Sequence, residues 1–158
     1  MAQQLKQAYV FLLSSQFQGY CRDLHTECVD YLVQSITPTQ LRTACRNALT
    51  QDRKLDRGNP DHGNLGADFG RLVPTFWAEV DRVDPPNPRG PTSKDSLDGL
   101  RACRNAVAHQ DFSPSALALT TLRLPAVRAW HRACERLAGT FDEVMRQHIQ
   151  SVNGFPPW

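Results

Sequence analysis

Apolar residues recur every three or four positions through the first 36 residues, and this spacing predicts a long helix. They are Leu5, Tyr9, Leu12, Leu13, Tyr20, Leu24, Tyr31, Leu32 and Ile36. Such a stripe covers one face of an α-helix, whose period is about 3.6 residues. We expect one helix, or two nearly collinear helices with a weak point at Ser14 and Ser15. Strand signals are weak in the rest of the chain, which favours an all-α fold.

A second helix is predicted to start at 37–40. Thr37 can cap it, Pro38 suits the first helical position and Gln40 completes a capping box. Gly58 would end it. The residues expected to face inward are Leu41, Ala44, Cys45, Ala48, Leu49 and Leu55.

Three later stretches repeat the helical rhythm. One runs from Leu65 to Val83, with Pro74 expected to kink or split it. Another begins near Ser93 and presents Leu97, Leu100, Cys103 and Val107. The last begins near Pro125, with its apolar face formed by Val127, Trp130, Cys134, Leu137, Phe141, Val144, Ile149 and Val152.

Segments rich in Gly, Pro, Asn and Ser separate these stretches. They predict a loop at 57–66, a connector at 84–92 and a stop at 110–115. The segment 116–124 could be extended or a short helical turn, and 153–158 is expected to be a frayed tail. A length of 158 residues suits a single domain. We therefore predict an antiparallel bundle of about five helices over residues 1–158.

The composition is that of an ordinary soluble protein, with a small net charge of +2. Fifteen of the eighteen basic residues are Arg, whose planar fork grips phosphate, although a G+C-rich genome also explains the excess. Five cysteines without a C-x-x-C pair favour a reduced, cytoplasmic setting over a disulfide framework. The apolar run AYVFLL is too short for a signal peptide or a membrane span, so no membrane partner is expected.

One pentapeptide, ACRNA, occurs twice, in TACRNALTQDRK (43–54) and in RACRNAVAHQDF (101–112). Only the second copy places a histidine five residues after its arginine, so that Arg104 and His109 form an R-x4-H pair. In a helix these two residues lie about 140° apart around the axis and about 7.5 Å along it. Asn105 and His109 share a face, and Arg101 continues that face one turn earlier.

These residue types suit cleavage of an RNA phosphodiester. A histidine can accept or return a proton near neutral pH, and an arginine can neutralise charge that develops on the phosphate oxygens. RNA supplies its own nucleophile, the 2′-hydroxyl, so neither a metal nor another cofactor is needed. Because one histidine cannot easily serve as base and acid on opposite sides of phosphorus, the chemistry favours a dimer with a composite cleft.

Plainer interpretations remain open for each candidate. R-x4-H arises easily by chance, and a helix-terminal histidine also favours the helix dipole. In the first ACRNA copy, Ala44, Cys45 and Ala48 are interpreted as small residues that pack in the bundle. Arg46 is a minor candidate for RNA contact. Four of the residues Cys21, His25, Cys28, His131 and Cys134 could form a zinc site, but buried cysteines and half-buried histidines in a core explain them better. Asp61, His62 and Asp68 are expected in a solvated loop.

The string LRACRNAVAHQDF, late in a helical chain of this length, resembles the HEPN superfamily (higher eukaryote and prokaryote nucleotide-binding domains). More narrowly it is similar to bacterial RiboL-PSP-HEPN-type proteins. The segments QFQGYCRDLHTECVDYL and TTLRLPAVRAWHRACERL carry the same likeness, which covers most of residues 5–150.

The resemblance implies a helical bundle that dimerises through the motif face. It also implies a metal-independent endoribonuclease of a bacterial toxin–antitoxin or antiphage system, leaving 2′,3′-cyclic phosphate ends, with an antitoxin or regulatory protein as partner. Carried over to this chain, Arg104 would bind and polarise the phosphate, His109 would transfer protons, and Asn105 would orient the histidine or the phosphate. Arg101 is a further candidate RNA contact. The alternatives are an RNA- or nucleotide-binding module without catalysis, or a helical partner subunit.

The sequence departs from this family just after the histidine. Some members carry a tyrosine two positions after the histidine, and its modification silences the toxin. Here Gln110 and Asp111 follow His109, and Phe112 comes next. The glycine common after the histidine is absent, and Asp111 adds negative charge near the expected phosphate.

Overall fold

The computed structural model describes residues 2–111, 113 and 122–158. In these ranges all regular secondary structure is helical, as the sequence predicts. The α-helices are α1 Ala2–Val33, α2 Thr39–Thr50, α3 His62–Phe69, α4 Phe76–Val83, α5 Ser93–His109 and α6 Leu124–Asn153, with a 3₁₀ turn at Lys54–Asp56. Residues 116–121, part of the ambiguous segment, and Phe112 lie outside the described residues.

The long first helix is continuous. Ser14 is only 3% exposed and packs into the core, so the expected weak point at Ser14 and Ser15 does not interrupt α1. The helix ends at Val33, and Ile36 lies in the following turn, where its N–H donates to the Val33 carbonyl.

The two longest helices, α1 and α6, run in the same direction. The Tyr9 ring lies against His131, the Tyr20 hydroxyl donates to the Ala138 carbonyl, and the Asn153 amide donates to the Tyr31 carbonyl. The residue numbers of the contacting partners thus increase together along the two helices. The antiparallel arrangement predicted for the bundle is therefore wrong for this pair, although α2 does fold back against α1, where Arg46 meets Asp30.

The inward face predicted for α2 is confirmed only at Cys45 and Leu49, which are half-buried against the core. Leu41 is 50% exposed, Ala44 and Ala48 are exposed, and no residue of α2 is buried. The reason is that α2 packs on α1 alone among the described elements, so its apolar positions meet no second layer. Leu55 is fully buried, but in the 3₁₀ turn that follows α2.

The start and the end of α2 also differ from expectation. The helix begins at Thr39, with Pro38 at the N-cap after a cis Thr37–Pro38 peptide bond and without a side-chain cap. The capping box expected from Thr37 and Gln40 is not formed. The helix ends at Thr50 and does not reach Gly58.

The third predicted helix is split around Pro74, so the described residues form six α-helices where about five were expected. The segment becomes α3 and α4, joined by a turn. The Phe69 ring stacks on Phe76 with centroids 4.7 Å apart, and Phe76 contacts Phe141 of α6 at 5.0 Å. These aromatic residues are core, and this packing joins α3 and α4 to the helices around them.

The solvated loop predicted around Asp61, His62 and Asp68 is wrong at Asp68. That side chain is fully buried, and its carboxylate accepts hydrogen bonds from the backbone N–H groups of Lys54 and Leu55, each at 2.8 Å. Asp61 caps α3 by accepting from the Asn64 N–H, so the helix begins inside the predicted loop 57–66.

The expected frayed tail packs against the bundle. The indole N–H of Trp158 donates to Asp142, its ring lies 5.7 Å from Tyr31, and Pro157 is buried. Val152, predicted to face inward, is 58% exposed. Among the described helices, none combines the length and apolar character that a bilayer span requires.

Candidate functional site

The motif lies on α5, whose two ends are both closed by specific contacts. At the start, Thr92 and Asp95 form a capping box, in which each side chain accepts from the backbone N–H of the other. At the end, the Asp111 N–H donates to the Ala106 carbonyl while Gln110 adopts a left-handed conformation. This is a Schellman arrangement. It places His109 in the last turn of the helix.

An open cleft lies along the solvent-facing side of α5. It has a volume of about 340 Å³ and is lined by Arg101, Ala102, Asn105, Ala106, His109 and Asp111. The opposite side of the helix is buried through Leu97, Leu100 and Cys103. The structure thus brings together three predicted site residues, Arg101, Asn105 and His109, as their spacing on one face requires.

Arg104 does not line this cleft. Its guanidinium lies over the Phe11 ring of α1, with the central carbon 5.0 Å from the ring centroid. One of its nitrogens, Nη1, donates to Asn105 Oδ1 at 3.3 Å. Arg104 is therefore connected to the cleft through Asn105, and it forms no direct pair with His109.

Asn105 is held by a second donor that the sequence does not reveal. Asn59, in the loop before α3, donates from Nδ2 to Asn105 Oδ1 at 3.0 Å. No motif marks Asn59, which lies 46 positions away in the chain, so only the folded structure identifies it.

One acidic side chain, Asp111, lines the cleft, and another, Asp98, lies beside it. Arg101 lies 3.5 Å from Asp98, one turn earlier on α5. Hydrogen bonds from Ser113, together with the nearby His109, lower the pKa of the Asp111 carboxyl, which is therefore ionised at neutral pH. A phosphate entering the cleft would compete with Asp98 for Arg101 and would lie near the negative charge of Asp111.

Arg46, the other predicted RNA contact, is not brought to the cleft. It forms a two-point ion pair with Asp30 of α1, with N–O distances of 2.6 and 3.2 Å. Asp30 lies nineteen residues along α1 from Phe11, or about 28 Å. The two ACRNA copies therefore belong to different parts of the molecule.

The cysteines and histidines considered for zinc divide between core and surface. Cys21, His25 and Cys28 are fully buried on one face of α1, whereas the His131 side chain is 43% exposed beside Tyr9. Within the described part of the chain, no three potential ligands converge on a common point. His62 stacks on Trp77 with ring centroids 4.1 Å apart.

Comparison of this chain with protein-family models, with curated proteins and with solved structures finds no match. The functional argument therefore depends on the cleft itself. Its chemistry combines a guanidinium, an amide and an imidazole on adjacent turns of one helix. Such a set can bind an oxyanion and move a proton.

Proposed function

We propose that the α5 cleft binds an RNA phosphodiester and cleaves it by attack of the neighbouring 2′-hydroxyl. The observation that carries this proposal is the convergence of Arg101, Asn105 and His109 on one open cleft. The resemblance of the motif to the HEPN superfamily points to the same chemistry. In this proposal Arg101, which lines the cleft, binds the phosphate, and Arg104, which donates to Asn105, supports that residue.

In the proposed reaction, His109 takes the proton of the 2′-hydroxyl. The 2′ oxygen then attacks phosphorus, the bond to the 5′ oxygen breaks, and a 2′,3′-cyclic phosphate is left. Arg101 stabilises the charge on the non-bridging oxygens, since a guanidinium can donate two parallel hydrogen bonds to phosphate. The leaving 5′ oxygen needs a proton from the opposite side.

A second copy of the chain would supply that proton from its own His109. The surface beside Arg104 suits such an association, because Phe11 is 43% exposed and Leu12 is 52% exposed on α1. In this proposal the dimer acts in toxin–antitoxin or antiphage defence, and a partner protein restrains it in the host.

The proposal is tested by incubating the purified protein with cellular RNA in EDTA and identifying the new ends. We expect cyclic-phosphate fragments from the parent. His109→Ala should lose at least about a hundredfold in rate, because general acid–base catalysis contributes that much or more. Arg101→Ala and Arg104→Ala should each lose about tenfold to a hundredfold, since hydrogen bonds to charged groups contribute about 1.5–3 kcal/mol.

The chain offers matched controls for these substitutions. Arg46→Ala removes the equivalent arginine of the other ACRNA copy, and His131→Ala removes a partly exposed histidine elsewhere on the surface. Both should cleave as the parent does. RNA that stays intact with the parent, yet is retained by it and released by Arg101→Ala, would indicate a binding module. Equal cleavage by the parent and His109→Ala would refute the proposed role of His109.

A further inference from the structure

The orientation of the Asn105 amide follows from its two neighbours. The guanidinium of Arg104 has only N–H donors, so the atom that it approaches at 3.3 Å must be the carbonyl oxygen Oδ1. The Nδ2 group of Asn59 donates to the same oxygen at 3.0 Å. With Oδ1 occupied twice, the amide nitrogen is the polar atom that Asn105 retains for the cleft.

Asn59 is itself fixed by the surrounding loop. The backbone carbonyl of Asn59 accepts a hydrogen bond from the side-chain amide of Asn64 at 2.9 Å. The preceding residue, Gly58, is tied to α1, because Gln18 donates to the Gly58 carbonyl at 2.8 Å and to the Leu55 carbonyl at 2.6 Å. These contacts hold the Asn59 side chain against α5, so that it does not have to be ordered when a ligand binds.

We propose that Asn59 is a positioning residue which, together with Arg104, turns the Nδ2 of Asn105 toward the cleft to donate a hydrogen bond to a phosphate oxygen. The inference rests on the proposed function, since it assigns a donor for that same phosphodiester. It explains why the side-chain amide of Asn105 has one defined orientation, with Nδ2 toward the cleft. It also assigns Arg104 a part in phosphate binding without contact to the phosphate.

The direction of this amide decides whether the cleft attracts or repels an anion. The non-bridging oxygens of a phosphodiester accept hydrogen bonds and donate none. A donor at Asn105 adds to those of Arg101, whereas a carbonyl oxygen at the same place would add to the repulsion from Asp98 and Asp111. Rotation of one amide by 180° would therefore turn a favourable contact into an unfavourable one.

Two substitutions test this orientation from opposite sides. Asn59→Asp replaces the donor with an acceptor, which should repel Oδ1 and favour the rotated amide. Asn105→Asp keeps an acceptor for both Asn59 and Arg104 but removes the donor from the cleft. The matched control is Asn87→Asp, which makes the same change of amide to carboxylate at an exposed asparagine of the connector 84–92, outside the cleft.

The probe is a short single-stranded RNA with a 2′-deoxy sugar at the cleavage position, which binds without being cut. We expect Asn59→Asp and Asn105→Asp to weaken its binding about tenfold or more, because each removes a hydrogen bond to a charged group. Asn87→Asp should stay within about twofold of the parent. In cleavage of the all-ribose strand, the loss for Asn59→Asp should appear mainly in KM.

The possible results separate the two proposals. If the parent neither binds nor cleaves RNA, the proposed function is refuted, and this inference with it. If the parent binds RNA and Asn59→Asp binds it equally well, only the inference is refuted. Equal weakening by Asn59→Asp and Asn87→Asp would show that any added carboxylate weakens binding, and it would also overturn the inference.

Discussion

His25 illustrates how burial changes the chemistry of a single residue. Its side chain is fully buried, and Nε2 lies 3.2 Å from the Asp68 carbonyl oxygen. Nε2 therefore carries the proton, while the buried Nδ1 has no hydrogen-bond partner among the described residues. Burial, and next the positive charge of Arg53, lower the pKa of His25 to about 4. The imidazole is neutral in the folded protein at pH 7.

This pKa predicts a loss of stability in mild acid. The unfolded chain binds a proton at His25 near pH 6.5, whereas the folded chain resists until about pH 4. The free energy of unfolding should therefore fall as the pH drops from about 6.5 to 4. The contribution of His25 to this fall is on the order of 3 kcal/mol.

Urea denaturation at a series of pH values measures this effect. His25→Phe keeps a ring against Phe69 and should flatten the pH dependence in that window. It removes one hydrogen bond to the Asp68 carbonyl, which still accepts from the Arg71 N–H, so a loss of stability at pH 7 does not affect the test. His131→Ala controls for the loss of a surface histidine. A pH dependence in His25→Phe as steep as in the parent would contradict the prediction.

Single residues also show what a local pattern leaves undetermined. The same five letters, ACRNA, put Cys103 and Ala106 in the core of α5, whereas on α2 the equivalent Cys45 is only half-buried and the equivalent Ala48 is exposed. The letters are compatible with a helix in both places, and both are helical. Burial depends on the elements that pack against each helix, and no short sequence contains that information.

At the scale of the helix, the end of α5 is under local strain. Gln110 has φ 53° and ψ 27°, a left-handed conformation that glycine adopts without steric cost. We predict that Gln110→Gly raises the free energy of unfolding by about 0.5–1 kcal/mol, since the relief of strain exceeds the entropic cost of glycine. Ala108→Gly, in the same turn but with helical geometry, should lower it by a similar amount. Chemical denaturation distinguishes the two signs, and destabilisation by both would contradict the prediction.

Helices are also the scale at which the sequence is most informative. The three-four rhythm predicts α1, α5 and α6 nearly to their ends, because each buries a broad apolar face. It does not predict the partners of a helix, and the antiparallel relation expected throughout the bundle fails for α1 and α6. Of the candidate site, the shared face of Arg101, Asn105 and His109 follows from spacing alone. The departure of Arg104 toward Phe11 and the contribution of Asn59 depend on tertiary contacts.

At the scale of the whole molecule, the proposed reaction requires two copies. We predict that Leu12→Glu, which puts a charge on an exposed apolar position beside Phe11, prevents association and abolishes cleavage. The parent should have a mass of twice 17.8 kDa in light scattering at concentrations where it is active. Leu41→Glu is the control, since Leu41 is about equally exposed but lies on α2. A parent that is fully active as a monomer would refute the composite site.

The parallel course of α1 and α6 has a mechanical consequence. The first turn of α1 and the last turn of α6 lie at opposite ends of the molecule, about 45 Å apart for a helix of thirty residues. Tension applied between these two points would slide the helices past each other along their common axis. Their contacts, from Tyr9 with His131 to Tyr31 with Asn153, would then be loaded simultaneously in shear. They would not break one after another, as contacts do when two helices are pulled apart from one end.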